Sequence, residues 1–558
     1  MEKHSRLRHD IKKDSMKNKA PILLALSAVL AFSSQTAWSL DPQPDPQRFK
    51  AHLTFLADDL LEGREAGSRG FNIAALYVAS QFAALGVQAK GDPGSYLQTV
   101  PLRSSLLAEG SAQVDIVRSS GTESLTYLDD FLLRGSLQED QSSLSAPLVF
   151  VGYGIQAERF GHNDYANLDV KGKIVVTLAG RPARFPTEEG AHFGNANHKR
   201  SIAAQHGAVG LINLATLRSE RTSPFAKARD YRSIPGMTWV APNGLGAHQI
   251  PGFQDTLSLS PAAAHKLFTQ VDVKLDDILA AAEADKPLPH LDLNLSVKMR
   301  KNSQRAELKS SNVVGMIEGS DAQLKNEYVV FSAHLDHLGI VKNKTGDNLY
   351  NGAMDNASGV STLLEMARLI TQMPRKPKRS ILFIALTGEE KGLLGSDYFA
   401  TNPSVPQGAI VANVNLDMPL LTFDFKNVVA FGSEHSSLRA TVAQAVQKMN
   451  MAVLADPWPE EGLFTRSDQY SFVKQGIPAI ALKTGMDSYN KDEQPGKMWA
   501  AFRATIYHQP NDDLNLPFNF AAAARFVQVN FNIGVEIAND PQRPSWNKGD
   551  FFGDTFKK

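Results

Sequence analysis

Tyr328-Val329-Val330-Phe331-Ser332-Ala333-His334-Leu335-Asp336-His337 is an apolar run that stops abruptly in two imidazoles and a carboxylate. Near-continuous apolar residues of this kind predict a strand buried on both faces. Two more such runs follow. Ser380–Leu386 breaks at Thr387-Gly388-Glu389-Glu390, and Ile410–Leu416 is closed by Asp417. Between the first two, Ser358–Gln372 reads as a helix, with Val360, Leu363, Leu364, Ala367 and Ile370 on one face. Further helices are expected at about 436–449 and over Phe520–Asn539. Strand alternating with helix predicts an α/β fold: a doubly wound, mostly parallel sheet with helices on both faces.

Working outward, residues from 46 open with a helical pattern, and a loop runs over Leu61-Glu62-Gly63-Arg64-Glu65-Ala66-Gly67-Ser68. A second helix is expected from Gly70 to Leu85, ended by Gly86. From about 130 to 285 the texture changes to short β-like runs, Leu148–Val151, Ile174–Leu178 and Val209–Leu214, separated by turn residues. No cluster of His, Asp and Glu closes these runs, so this stretch reads as a separate, non-catalytic β-rich unit.

The 558 residues carry 58 Lys+Arg against 58 Asp+Glu, and no basic tract stands out past the first few residues. Nucleic-acid binding therefore has no electrostatic support. Lys17 and Lys19 precede an apolar stretch, Pro21 to Phe32, and then Ala37-Trp38-Ser39. This order predicts a secretory signal cleaved after Ser39, with Met16 an alternative start. The stretch is short for a membrane span. The mature chain is then expected to be periplasmic or secreted, without stable membrane insertion. It has no cysteine, so any metal must sit on His, Asp and Glu.

The chemistry-bearing residues fall at the ends of the predicted strands, where open α/β sheets keep their ligands. His334 and Asp336 are two apart, so in extended chain they face the same way, and the carboxylate could accept the second N–H of a metal-bound imidazole. Asp355 lies in a glycine-containing turn, Asn351-Gly352-Ala353-Met354-Asp355-Asn356, just before a helix. A carboxylate placed there could bridge two metals. Of the adjacent Glu389 and Glu390, one could ligate a metal while the other takes a proton from water. Asp417 closes the third strand, and Tyr507-His508 offers an imidazole beside a phenol able to donate to an oxyanion.

Taken together, His334-Leu335-Asp336, Asp355-Asn356, Glu389-Glu390, Asn415-Leu416-Asp417-Met418 and Tyr507-His508-Gln509-Pro510-Asn511-Asp512 resemble the di-zinc aminopeptidases of peptidase family M28. Upstream, Leu56-Ala57-Asp58-Asp59-Leu60-Leu61-Glu62-Gly63-Arg64 is similar to the same family's N-terminal segment. The stretch with Phe150-Val151-Gly152-Tyr153-Gly154 and Lys171-Gly172-Lys173-Ile174 resembles an inserted protease-associated (PA) domain. The organisation implied is a signal peptide over 1–39, catalytic domain over 40–130 and 291–558, and the insert over 131–290.

The resemblance implies a zinc-exopeptidase fold and two Zn²⁺ per chain. His334 and Asp417 would hold one ion, Glu390 and His508 the other, and Asp355 would bridge them. Glu389 would be the general base acting with a metal-bridging hydroxide, Asp336 would orient His334, and Tyr507 would help hold the oxyanion. The peptide bond after the bridging aspartate is cis in the family, which here would be Asp355-Asn356. Substrates would be peptides with a free N-terminus. Where many members read Ser-Asp-His, this chain reads Ser467-Asp468-Gln469, which puts specificity near the first substrate residue in question. A glutaminyl cyclase-like or carboxypeptidase activity on the same fold, or a non-catalytic receptor-like binding protein, are the competing readings.

Overall fold

The structure is a computed structural model that describes residues 42–342 and 345–557; the expected signal segment lies outside them. The three apolar runs lie side by side. Tyr328–His334 pairs in parallel with Ser380–Leu386 on one edge and with Ile410–Leu416 on the other. Ala479–Thr484 continues the parallel set, and Asn427–Phe431 joins it antiparallel. On the far edge Leu291–Ile317 runs antiparallel to Ser380–Leu386. The sheet is therefore mixed with a parallel centre, as the sequence predicts.

The unbroken apolar runs are explained by a core on each face. Val329, Phe331 and Ala333 point into one, with Ile381, Phe383 and Ala385 beside them. Tyr328, Val330, Leu382, Ile384 and Leu386 point into the other. Period-two alternation thus feeds two hydrophobic layers from one strand. The first layer is covered by Pro46–Leu56, Arg69–Ala84, Ser358–Gln372 and Phe520–Asn539. Gly534 sits inside the last of these helices because a Cβ there would lie 2.1 Å from the Phe331 ring. Helix and sheet touch at that point with no room for a methyl group. Leu394–Thr401 and Gln469–Val473 lie against the second layer.

Leu291–Ile317 is a single strand of 27 residues that serves two sheets. Up to Asn302 it pairs with Gln113–Arg118 and Gln141–Phe150, and from Ser303 it pairs with Leu97–Leu107. The second sheet continues through Ile174–Leu178, Gly210–Leu214 and Asp255–Leu259. Its apolar side chains, Phe150, Val176, Ile212 and Leu257 among them, merge with the second core of the main sheet. No described helix is long and apolar enough to cross a membrane.

Away from the strand ends, one buried ion cluster ties distant segments together. His435 Nδ1 lies 2.6 Å from Asp550 Oδ2, and its Nε2 contacts the Glu188 carboxylate. Asp550 caps the final helix, and Glu188 lies in Thr187–Gly194 of the β-rich region. Burial disfavours the imidazolium, but Asp550 and Glu188 outweigh it and raise the His435 pKa to about 10. Burial meanwhile lifts Glu188 to about 6 in spite of its partner. A histidine whose folded pKa exceeds its unfolded value of about 6.5 stabilises the fold fully below that pH and loses the contribution as pH climbs toward 10. The melting-temperature advantage of wild type over His435→Gln should therefore be largest near pH 6 and shrink between pH 6.5 and 10. An advantage undiminished at pH 10 would contradict this assignment.

Candidate metal centre

The strand-end residues converge. His334 is the last residue of its strand, and Asp417 directly follows Ile410–Leu416. Asp355 lies in an irregular turn, Ala353–Ala357, that leads into Ser358–Gln372. His508 follows the helix Pro495–Thr505. The peptide bond between Asp355 and Asn356 is cis.

Asp355 is the hinge of the arrangement. Its Oδ1 lies 3.2 Å from His334 Nε2 and its Oδ2 lies 3.2 Å from His508 Nε2. Each imidazole also faces a second acid: Asp417 Oδ1 stands 3.6 Å from His334 Nε2, and Glu390 Oε2 stands 3.2 Å from His508 Nε2. Two nitrogen-plus-carboxylate sets therefore share one carboxylate. Glu389 lies with His334 and Glu390 in a group whose ligand atoms are all within 4.8 Å of one another.

The electrostatics of the cluster are those of excess buried negative charge. Burial alone would push Asp355 up, yet the two imidazoles hold it well below the usual carboxylate range. Glu390 is likewise depressed, by His508 and His337 against burial. Both imidazoles are raised well above their ordinary value against burial, His334 by Glu389, Asp355 and Asp417 and His508 by Glu390 and Asp355. Glu389 behaves differently. Burial holds its carboxyl well above the usual range, and Glu390, Asp468 and Asp417 add to this while His334 opposes it. Asp468 is buried with neither carboxylate oxygen hydrogen-bonded. Desolvated acids outnumbering their cationic neighbours cost free energy unless further positive charge is supplied. The imidazole and carboxylate donors suit divalent ions such as zinc, so the residues fit the group that the sequence implies.

One contact differs from expectation. The Asp336 carboxylate does not receive the N–H of His334. His334 Nδ1 instead lies 3.1 Å from the Asp336 main-chain oxygen. The carboxylate accepts the backbone N–H groups of Glu389 (3.1 Å) and Glu390 (3.3 Å). The rule that residues two apart share a side requires extended chain, and the strand ends at His334. Asp336 thus fixes the turn bearing the two glutamates. Tyr507 stacks on His508 with ring centroids 3.8 Å apart, and burial keeps its phenol well above its ordinary pKa, hence protonated. Gln469, in place of the expected imidazole, is buried in structural bonds: its Oε1 accepts from Asn415 and its Nε2 donates to the Phe464 main-chain oxygen. Ser467, two residues earlier, donates to Asp417 Oδ2 at 2.6 Å.

Several supporting residues were not assigned from sequence. Asp512 accepts the N–H groups of Met354 (2.7 Å) and Asp355 (3.0 Å) and so sets the bridging turn. Arg64 is fully buried and donates to the main-chain oxygens of Leu335 (2.8 Å), Asn351 (2.6 Å) and Gly352 (3.0 Å). One guanidinium therefore braces both the His334 loop and the Asp355 loop. Burial lowers its pKa to about 10, against the pull of Asp336, Asp512 and Asp355, and it stays charged at neutral pH. His337 Nδ1 lies 2.7 Å from Glu390 Oε1 and turns the other oxygen toward His508. A Cβ on Gly352, which has φ 60, would meet Asp355 O at 2.2 Å and the His337 ring at 2.5 Å, so only glycine fits there. The tandem imidazoles of His334-Leu335-Asp336-His337 were the available signal for His337; nothing local signals the reach of Arg64.

Residues 312–532 match the family described as Peptidase family M28. Over that segment the chain is similar to the M28 peptidases. All six convergent residues, His334, Asp355, Glu389, Glu390, Asp417 and His508, lie inside it. Over 124 residues the chain is 35% identical to Aminopeptidase NAALADL1 of Mus musculus, which covers 21% of this chain and 15% of that relative. Over 224 residues it is 27% identical to Probable leucine aminopeptidase 2 of Aspergillus fumigatus, covering 38% and 41%. These matches span less than half of the curated relatives' length. The fold is similar to that of the aminopeptidase from Aneurinibacillus sp. strain AM-1, with a TM-score of 0.52 and 19% identity over 90% of this chain and 96% of that one. The matched segment thus holds the clustered acids and imidazoles, while Arg64 reaches them from outside it.

If Asp512 positions the bridging carboxylate, Asp512→Ala should weaken zinc binding by roughly 10–100-fold, as measured by competition with a chromogenic chelator. Unchanged affinity would make Asp512 a fold residue only.

Proposed function

We propose that this protein is an exported di-zinc metallo-aminopeptidase that removes the N-terminal residue from peptides. The observation that carries the reading is Asp355, whose two oxygens face two different imidazoles, each with its own second carboxylate. His334, Asp417 and Asp355 would hold one zinc, and His508, Glu390 and Asp355 the other. When bound, such a pair lowers the pKa of water and polarises a carbonyl.

The chain's own groups do the rest. Glu389 takes a proton from the attacking water through its carboxylate and returns it to the departing amine nitrogen. Tyr507 donates from its phenol to the oxygen on which negative charge develops. Asp336 holds the backbone of Glu389 and Glu390, and so places the base relative to the ligand beside it. The acidic surroundings, Asp468 included, favour a substrate's ammonium group at this end of the site. Relatives named as aminopeptidases support the choice of reaction. Lys17 to Ser39 supports export, and the β-rich region resembling a PA domain supports an inserted accessory unit.

Purified enzyme should contain two zinc ions per chain and hydrolyse free, but not N-acetylated, aminoacyl-anilides. Chelation should abolish the activity and Zn²⁺ restore it. One ion per chain would favour a cyclase-like reaction, and none a binding protein. Glu389→Gln should keep both ions and lower kcat by about 10²–10⁴-fold. A variant that keeps its rate would remove Glu389 from the mechanism.

A further inference from the structure

A cavity of 820 Å³ opens directly onto the centre: Glu390 and His508 form part of its wall. Most of the remaining wall comes from residues before 302, that is, from the β-rich region and the segment around Tyr231 that hangs beside it. Tyr231 donates to the His508 main-chain oxygen at 3.3 Å, so this segment reaches the catalytic loop itself.

The charge on that wall is uneven. Five cationic side chains line the cavity against two carboxylates, Glu390 and Asp255. Two of the cations are already neutralised. Lys301 is paired with Asp255 at 2.9 Å, and Lys391 with Glu65 at 2.9 Å. Glu390 in turn is shared by His337 and His508. Three guanidiniums are left. Arg134 is exposed into the cavity and has no carboxylate partner among the described residues. Arg200 is half-buried over the Phe253 ring; its Nη1 donates to Asn197 Oδ1 at 3.2 Å, and its buried Nε has no hydrogen-bond partner. Arg232 bonds a main-chain oxygen, that of Arg229. Planar guanidiniums with free donors match a carboxylate fork.

The cavity thus has acid where Glu390 enters it from the strand-end cluster, and guanidiniums free of a carboxylate pair among the lining residues that come from the β-rich region. A short peptide carries the complementary pattern, its ammonium group at one end and its carboxylate at the other. Resting on the peptidase reading above, we propose that the preferred substrates are short peptides whose leaving portion bears a carboxylate, held by Arg134 and Arg200 while the N-terminal residue lies at the catalytic centre. The β-rich region would then select substrate by length and charge.

The test compares Leu-Gly-Gly, its C-terminal amide, and Leu-Gly-Asp-amide in wild type, Arg134→Gln and Arg200→Gln. Wild type should cleave Leu-Gly-Gly over its amide by about tenfold or more in kcat/KM, with the preference falling as ionic strength rises. Each substitution should bring that ratio toward one. Recovery of the preference by Leu-Gly-Asp-amide would show that a side-chain carboxylate serves as well as the terminal one. Its absence would restrict the subsite to the chain end. Equal cleavage of acid and amide by wild type, or a ratio unmoved by both substitutions, overturns the proposal while leaving the peptidase intact. If neither peptide is cleaved the peptidase reading fails, and calorimetry decides the subsite. Tighter binding of the acid that is lost in Arg134→Gln supports it, and equal binding overturns it.

Discussion

A buried carboxylate flanked by two imidazoles is the constraint on which the catalytic half of this molecule depends. Asp355 must present one oxygen to each side, which demands that its backbone be held within a few tenths of an ångström. The neighbouring structure is arranged for this. Asp512 grips the N–H groups of Met354 and Asp355, Gly352 lets the turn close against His337, and Arg64 ties that turn to the His334 loop. Arg64 is also a charge in its own right, a buried cation surrounded by the site's acids. Remove it and two loops lose their common anchor while the acids lose a counter-charge.

Much of this was legible in the sequence, and for a physical reason. Parallel strands buried on both faces leave long apolar runs, so Tyr328–His334, Ser380–Leu386 and Ile410–Leu416 announce themselves, and polar residues stand out where the runs stop. The helix Ser358–Gln372 and the terminal helix Phe520–Asn539 follow from their period. The convergence of the acids and imidazoles follows from parallel pairing, which brings the strand ends to one edge. The roles of Arg64 and Asp512 were not legible. Each acts over a sequence separation far longer than any local pattern, and an arginine on a loop looks the same whether it faces solvent or a cavity. Asp336 was misread for the opposite reason, because a local rule was extended two residues past the end of the strand that justifies it.

The β-rich region reads from sequence as non-catalytic because it lacks metal-type residues, and none of its described side chains contributes to the cluster around Asp355. Its contribution is of another kind. It supplies wall, cations and the Tyr231 contact to a cavity that Glu390 and His508 also line.

The strand Leu291–Ile317 bears on how these two parts can move. Because one continuous ladder carries both sheets, the two halves of the molecule have no joint between them at this crossing. Twisting one against the other would tear backbone pairs along its length. The β-rich wall and the strand-end cluster are thus joined by main-chain hydrogen bonds along a single strand, so a change in the pairing of either sheet is carried directly to the other.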